Sequence, residues 1–221
     1  MNFLNRGLRY VAFASCLVLL GSAVAAELNI ATSAEKTEPL QAGERAPAFT
    51  AYEVDGSEFN FDPNNLDSPT LLITFRGGWC PYCNAQLAGL RKVLPEIRQG
   101  GMDVMFLSGD RPEMLYSSLR QDTQDAIGDL DYHILSDANM SAASALGIAY
   151  RVPDGTKDRY VQGGRDIEES SIDLHQALPV PAVFVVDTDG EIRFVYANPD
   201  FRVRLPAEDV KEAAKPLLTS F

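Results

Sequence analysis

The feature that most constrains the fold is an apolar run followed at once by a glycine turn and a helical pattern. Residues 70–75 are an almost unbroken run of β-forming residues, as expected of a strand buried on both faces. Gly77 and Gly78 follow, and Pro95 predicts a kink in the helix that comes next. The apolar positions of that helix are Leu87, Leu90, Leu94 and Ile97. A strand buried on both faces must be covered by helices, so this order predicts an α/β protein.

The rest of the chain continues the alternation of strands and helices. Two hairpins are predicted around the turns Asp55-Gly56 and Asp187-Thr188-Asp189-Gly190. Asp110 and Glu113, which flank Pro112, predict the start of a helix. The remaining segments are predicted strands at 102–107 and 132–135 and helices at 139–146 and 206–218. Together they predict a central mixed β-sheet flanked by helices, with an N-terminal β-hairpin extension.

Residues 1–26 are predicted to be a signal peptide. Arg6 and Arg9 precede an apolar stretch at 11–24, and a small-residue processing site, Ala-Val-Ala-Ala, occupies 23–26. A retained membrane anchor is an alternative, although the apolar stretch is short for a span of about 20 residues. A lipoprotein site at Cys16 is a second alternative to the signal peptide. The preferred interpretation predicts a periplasmic or secreted protein.

The mature chain is predicted to have one folded domain. Residues 27–42 are polar and aperiodic, which predicts a flexible leader, and residues 43–219 form the domain, with a polar insertion at 150–177. The net charge of the whole chain is -12, and no basic cluster is present. These properties exclude nucleic acid as an expected partner.

Three cysteines occur in the chain, and signal cleavage would leave only Cys80 and Cys83. One closely spaced pair is not a disulfide framework, and a loop of two residues constrains the unfolded chain little. A structural zinc site needs four ligands, and the only histidines, His133 and His175, lack zinc-site spacing. We therefore expect neither metal nor cofactor, and we expect the cysteines to carry redox chemistry. An inert disulfide is the alternative.

The predicted strand, glycine turn and helix place Cys80 at a helix N-terminus. Free N–H groups and the helix dipole there favour a thiolate. Cys83 lies one turn further on, so Cys80 is expected to be the nucleophile and Cys83 the resolving thiol. Pro81 suits the first turn of the helix. Trp79 and Tyr82 are expected at the lip of the site, and Arg76 beside a thiolate or a carboxylate.

The sequence Trp79-Cys80-Pro81-Tyr82-Cys83 resembles the active site of the thioredoxin superfamily. Residues 43–49 (Gly-Glu-Arg-Ala-Pro-Ala-Phe) and 180–187 (Val-Pro-Ala-Val-Phe-Val-Val-Asp) are similar to segments of the alkyl hydroperoxide reductase/thiol-specific antioxidant branch, the peroxiredoxins and their relatives. Leu135-Ser136-Asp137 and Ala145-Leu146-Gly147-Ile148 are similar to that branch as well. From residue 43 to about residue 218 the resemblance implies a thioredoxin-like fold.

Two positions depart from the peroxiredoxin pattern. Gly77 stands three residues before Cys80, where peroxiredoxins have the threonine that orients the peroxide. Pro181 stands where they have an arginine, as in thioredoxins, whose matching proline is cis and lies against the disulfide. The resemblance therefore implies a catalytic role for Pro181 and a cis Val180–Pro181 bond.

Three functions compete at this point. Thiol–disulfide exchange with exported proteins is the first choice, a thiol-dependent peroxidase that reduces hydrogen peroxide or organic hydroperoxides is the second, and a non-catalytic binding module is the third. The expected partners are protein disulfides, small thiols or peroxides, together with an external thiol reductant system. His175, near Pro181, is a minor candidate for a catalytic role, and His133 is a weaker one.

Overall fold

The computed structural model describes residues 27–129 and 132–219, and within them a seven-stranded mixed sheet forms the centre of the molecule. Its strands, in chain order, are β1 (Phe49–Tyr52), β2 (Glu58–Phe61), β3 (Thr70–Phe75), β4 (Asp103–Ser108), β5 (His133–Ser136), β8 (Ala182–Val186) and β9 (Ile192–Ala197). Across the sheet their order is β2-β1-β5-β4-β3-β8-β9. A separate antiparallel pair joins β6 (Ala149–Arg151) to β7 (Ala177–Pro179). The predicted mixed sheet, with its N-terminal hairpin of β1 and β2, is confirmed.

Helices cover both faces of this sheet. They are α1 (Pro81–Leu90), α2 (Leu94–Gln99), α3 (Gln121–Ile127), α4 (Ser141–Ala145), α5 (Thr156–Gln162), α6 (Ser171–His175) and α7 (Ala207–Ala214), with short 3₁₀ turns at Ala34–Lys36, Pro112–Met114 and Lys215–Leu217. The apolar residues of α1, α2, α3 and α7 form one buried cluster with alternate residues of β3 and β4. The residues of α4 and α6 join a second cluster on the other face. Burial on both faces explains why β3 lacks polar–apolar alternation.

The parallel strands β3, β4 and β5 bring three carboxyl ends to one edge of the sheet. Phe75 pairs with Ser108, and Ser108 pairs with Ser136. The segments that follow these three residues therefore meet at that edge, and they begin with Arg76, Gly109 and Asp137. Open α/β sheets bind their ligands at such an edge.

Two local predictions require correction. The predicted kinked helix is two helices: α1 ends at Leu90, and α2 begins at Leu94 with Pro95 in its first turn. The Pro95 nitrogen has no N–H to donate, and its ring crowds the preceding turn, so the helix cannot continue through it. Asp110 does not cap a helix. Only the 3₁₀ turn Pro112–Met114 follows it, and its carboxylate instead accepts a hydrogen bond from the Gly78 N–H.

The segment expected to be a flexible leader, residues 27–42, is packed against the domain. The Ala31 N–H donates to the Ala149 carbonyl at 2.9 Å, and the Arg151 N–H donates to the Ala31 carbonyl at 2.8 Å. Its apolar side chains pack on the core: Leu28, Ile30, Ala31 and Leu40. The prediction of flexibility was wrong because these scattered apolar residues follow no periodic pattern, yet they find partners on β6 and its surroundings.

The predicted cis bond at Val180–Pro181 is also wrong, because the described residues contain no cis peptide bond. The Val180 N–H donates to the Ile148 carbonyl at 2.8 Å. The Thr74 hydroxyl donates to the Val180 carbonyl at 3.0 Å and accepts from the Ala182 N–H at 2.9 Å. The extended chain from β7 into β8 satisfies these groups with Pro181 trans.

The predicted signal peptide lies outside the described residues. In the part of the chain that the structure describes, no helix combines the length and the apolar character needed to cross a membrane.

Candidate active site

Cys80 lies where the turn after β3 enters α1. It is the N-cap residue of that helix, Pro81 is the first helical residue, and the Cys80 N–H donates to the Gly77 carbonyl at 3.1 Å. The Cys83 N–H donates to the Cys80 carbonyl at 3.1 Å. Cys83 is thus one turn after Cys80 on the inner face of α1. Both are free thiols.

The two glycines before the cysteines lie against neighbouring chain. A Cβ on Gly78 would be 2.7 Å from the Ser118 carbonyl carbon and 2.8 Å from the Leu119 nitrogen. Gly77 has a φ of +155°, and a Cβ there would be 2.6 Å from an Asp110 carboxylate oxygen. The turn therefore requires glycine at both positions.

Two buried side chains fix the turn in place. Asp110 accepts from the Gly78 N–H at 2.7 Å and from the Ser118 hydroxyl at 2.9 Å. Burial raises the pKa of the Asp110 carboxyl, and these hydrogen bonds oppose the rise. The Asn84 amide group donates to the Gly78 carbonyl at 2.5 Å and to the Cys80 carbonyl at 3.0 Å. Neither residue was singled out from the sequence as part of the site.

The environments of the two thiols separate their pKa values. The largest influence on the pKa of Cys80 is the hydrogen bond from the Cys83 thiol, and the charges of Arg76 and Arg204 act in the same direction. Together they outweigh the effect of burial and lower the pKa of Cys80 to about 6. Burial, followed by the hydrogen bond and charge of Cys80, raises the pKa of Cys83 well above its usual range. At neutral pH the pair therefore holds one thiolate, on Cys80, beside one thiol.

Arg76 is close enough to the dithiol for its charge to lower the pKa of Cys80. Its guanidinium donates to the Tyr160 hydroxyl at 2.7 Å, and its central carbon lies 4.1 Å from the ring centre of Phe201. Within the described part of the chain, its buried Nε has no hydrogen-bond partner. The charge acts on Cys80 through space.

Arg204 is a second cation at the site, and the sequence analysis missed it. Its Nη2 donates to the Cys83 sulfur at 3.3 Å. The residue lies 121 positions after Cys83 in the chain, and no local motif marks it. A basic residue shortly before the last helix is a common feature that by itself carries no signal.

The aromatic residues that flank the cysteines in the sequence pack on rings from two other segments. The Trp79 ring packs on Tyr160 of α5 with centroids 4.9 Å apart, and the Tyr82 ring meets Phe201 edge-on at 5.7 Å. Tyr82 is 41% exposed, and the role of Trp79 and Tyr82 at the lip of the site remains a prediction. Cys80 itself is only 1% exposed. Access to its sulfur is therefore narrow.

The two histidines make their contacts outside this cluster, whereas Pro181 precedes Ala182, which pairs with Thr74 of β3. His133, at the amino end of β5, contacts Glu53 at 3.4 Å, and His175 ends α6, where burial lowers its pKa. Pro181 starts the chain into β8 and is held by the Asn198 N–H at 3.3 Å. Between residues 27 and 219, leaving aside 130 and 131, no group of three or more His, Cys, Asp and Glu side chains is arranged to hold a metal ion.

A free dithiol at the entrance to a helix, on a mixed sheet of this order, defines an oxidoreductase of the thioredoxin superfamily. The model of the AhpC/TSA family matches residues 42–195, and the chain belongs to that family. Phe201 and Arg204 lie beyond the matched residues.

Three comparisons illustrate the relationship. Peroxiredoxin Bcp of Escherichia coli is 26% identical over 160 residues, which cover 72% of this chain and 86% of that protein. The thiol-disulfide oxidoreductase ResA of Bacillus cereus is 26% identical over 98 residues, 44% of this chain and 55% of that protein. The crystal structure of a peroxiredoxin-like protein from Aquifex aeolicus has a TM-score of 0.60 and 19% identity, and the match covers 82% of this chain and 90% of that one. This structural match supports the fold.

Proposed function

We propose that this protein is a thiol–disulfide oxidoreductase in which Cys80 is the nucleophile and Cys83 is the resolving thiol. The observation that carries the proposal is the placement of the pair, with Cys80 at the N-cap of α1 and Cys83 one turn further on. The displacement of their pKa values in opposite directions agrees with it. A thiolate attacks a disulfide far faster than a thiol does. A buried thiol one turn away is placed to complete the exchange.

The cycle follows from this arrangement. The Cys80 thiolate attacks one sulfur of a partner disulfide, forms a mixed disulfide and releases the other partner sulfur as a thiolate, which takes up a proton. Cys83 then loses its proton and attacks the Cys80 sulfur, which releases the second partner thiolate. The partner disulfide is reduced by two electrons, and Cys80 and Cys83 are oxidised to one disulfide. An external thiol system then reduces the Cys80–Cys83 disulfide back to the dithiol.

Gly77 favours disulfide exchange over peroxide reduction. The resembling peroxidases have a threonine at this position, but here a Cβ would be 2.6 Å from an Asp110 carboxylate oxygen and would overlap the indole nitrogen of Trp79. No hydroxyl can therefore be supplied from position 77 without displacing both neighbours. Rapid peroxide reduction requires donors that are positioned before the reaction.

A thiol-dependent peroxidase is the second candidate, and the narrow access to Cys80 favours it. With 1% of Cys80 exposed, a peroxide enters more easily than a polypeptide disulfide. In that reaction the Cys80 thiolate attacks the peroxide O–O bond, becomes a sulfenic acid and releases an alcohol or water, and Cys83 condenses with it to a disulfide and water. The relatives include a protein named peroxiredoxin.

The experiment that tests the proposal compares two substrates by stopped flow at equal thiol concentration. We expect the reduced protein to reduce insulin disulfides well and hydrogen peroxide slowly. Cys83→Ser is expected to trap protein partners as mixed disulfides on Cys80, and Cys80→Ser to abolish both reactions. If peroxide oxidises Cys80 orders of magnitude faster than insulin does, the peroxidase is the correct function. An unreactive Cys80 toward a thiol alkylator would contradict both and indicate a binding module.

We also propose that the protein is exported, because residues 1–26 have the composition of a signal peptide. N-terminal sequencing of protein recovered from outside the cytoplasm is expected to begin near Ala26 or Glu27. A start at Met1, or lipid on Cys16, would refute this.

A further inference from the structure

The guanidinium of Arg204 is held so that it points at the resolving thiol. Its Nη1 donates to the carbonyls of Phe201 and Val203, and its Nη2 donates to the Cys83 sulfur at 3.3 Å. Its Nε is buried and has no hydrogen-bond partner among residues 27–129 and 132–219. The segment that carries it, residues 198–206, thus orients the charge through its own backbone.

Burial disfavours the thiolate of Cys83, and the Arg204 charge acts against that effect. The residue is fully buried, and burial raises the pKa of its thiol, as does the negative charge of Cys80. Two influences favour the thiolate of Cys83: the Arg204 charge and a hydrogen bond from the Arg76 backbone. The Arg76 side chain is directed elsewhere, to Tyr160.

The formation of a mixed disulfide changes the charges that act on Cys83. Once the Cys80 sulfur is bonded to a partner sulfur it no longer carries a charge, so the repulsion that opposed a second thiolate disappears. Arg204 is then a cation in contact with Cys83 and has no competing anion at Cys80. A charge-assisted hydrogen bond of this kind is stronger than a neutral one.

We propose that Arg204 is a catalytic residue of the second half-reaction, in which it stabilises the Cys83 thiolate and so promotes release of the partner. This inference rests on the proposed dithiol cycle. In that step the Cys83 proton passes to solvent, Cys83 bonds to the Cys80 sulfur, and the partner sulfur leaves with the electron pair of the broken bond. Arg204 neither gives nor takes a proton.

The first half-reaction depends on Arg204 much less. The Cys80 thiolate has other stabilising groups: the Cys83 thiol, the Arg76 charge and the N-terminus of α1. The loss of Arg204 should therefore slow the second step selectively. A change of one pKa unit alters the thiolate fraction about tenfold, so we expect the second step to slow about tenfold or more and the first by less than about threefold.

The test is a stopped-flow reaction of the reduced protein with dithiodipyridine, a neutral disulfide that an arginine does not attract by charge. Each attack releases a chromogenic thione, first at Cys80 and then from the mixed disulfide. The first phase depends on reagent concentration and the second does not. The variants are Arg204→Gln and Arg204→Lys. Arg202→Gln is the matched control, because Arg202 lies in the same segment, is exposed and pairs with Asp200 at 2.9 Å.

We expect a slowed second phase in Arg204→Gln, partial recovery in Arg204→Lys, and both phases unchanged in Arg202→Gln. Equal second phases in Arg204→Gln and the wild type would overturn the inference, and so would equal slowing of both phases. The dithiol cycle is tested separately by Cys83→Ser, which should show the first phase alone. If Cys83→Ser still gives both phases, the proposed cycle fails, whatever the Arg204 variants do.

Discussion

The lowered pKa of Cys80 should make the stability of the reduced protein depend on pH. A thiol has a pKa of 9.0 in the unfolded chain, and the folded site lowers it to about 6. A group with a lowered pKa stabilises the folded state above the unfolded value, and this contribution is lost as the pH falls through the folded value. We therefore expect the reduced protein to gain stability as the pH rises from 6 to 9.

The size of the expected gain in stability follows from how far the pKa of Cys80 is lowered. One pKa unit corresponds to about 1.4 kcal/mol, so the Cys80 thiolate contributes up to about 4 kcal/mol at pH 9 and about 2 kcal/mol near pH 7.5. Above pH 9 the raised pKa of Cys83 acts in the opposite direction, so the gain stops there. The same thiolate favours the dithiol over the disulfide, which raises the reduction potential of the pair.

The assay is urea unfolding of the protein, kept reduced, across this pH range and followed by circular dichroism. Cys80→Ser is the matched control, because its hydroxyl does not titrate. The difference in unfolding free energy between the two proteins should grow by about 3–4 kcal/mol over the window. Parallel pH profiles for the two proteins would refute the reasoning, and so would a thiolate absorbance that rises only near pH 9.

Three further substitutions test the surroundings of the dithiol. Gly77→Thr should destabilise the protein without raising its rate with peroxide, because the new side chain overlaps Asp110; a faster peroxide reaction would show that the site can accept the hydroxyl. Asp110→Ala leaves the buried Gly78 N–H unpaired and should cost about 1–3 kcal/mol in urea unfolding, and an unchanged midpoint would contradict this. Phe201→Ala should speed the alkylation of Cys80 by iodoacetamide, and an unchanged rate would mean that Phe201 does not limit access.

The parts of the site that the sequence predicted are those encoded locally. Cys80 and Cys83 are marked by their spacing, and the apolar strand and the glycine turn place them at a helix entrance. Arg76 is found because it follows β3 directly. The sheet was predictable for the same reason, since each strand carries its own periodicity and turn residues.

The parts that were missed depend on contacts between distant segments. From beyond β9, Arg204 reaches Cys83 and Phe201 reaches Arg76. Tyr160 reaches Trp79 from α5. Nothing in the residues around them marks such contacts. The error at Pro181 is of another kind. A matching sequence suggested a cis bond, but the chain there is extended and trans, with the Thr74 hydroxyl donating to the Val180 carbonyl and the Val180 N–H donating to the Ile148 carbonyl.

The crowding around Gly77 bears on how dithiol and threonine-containing members of one family are related by descent. A single replacement at this position meets both Trp79 and Asp110, so it would weaken the fold before any hydroxyl could act. An evolutionary path between the two kinds of site must first exchange the indole for a smaller side chain or move the turn that carries Asp110. Position 77 is thus coupled sterically to Trp79 and Asp110, and a side chain can be added there only if both neighbours move.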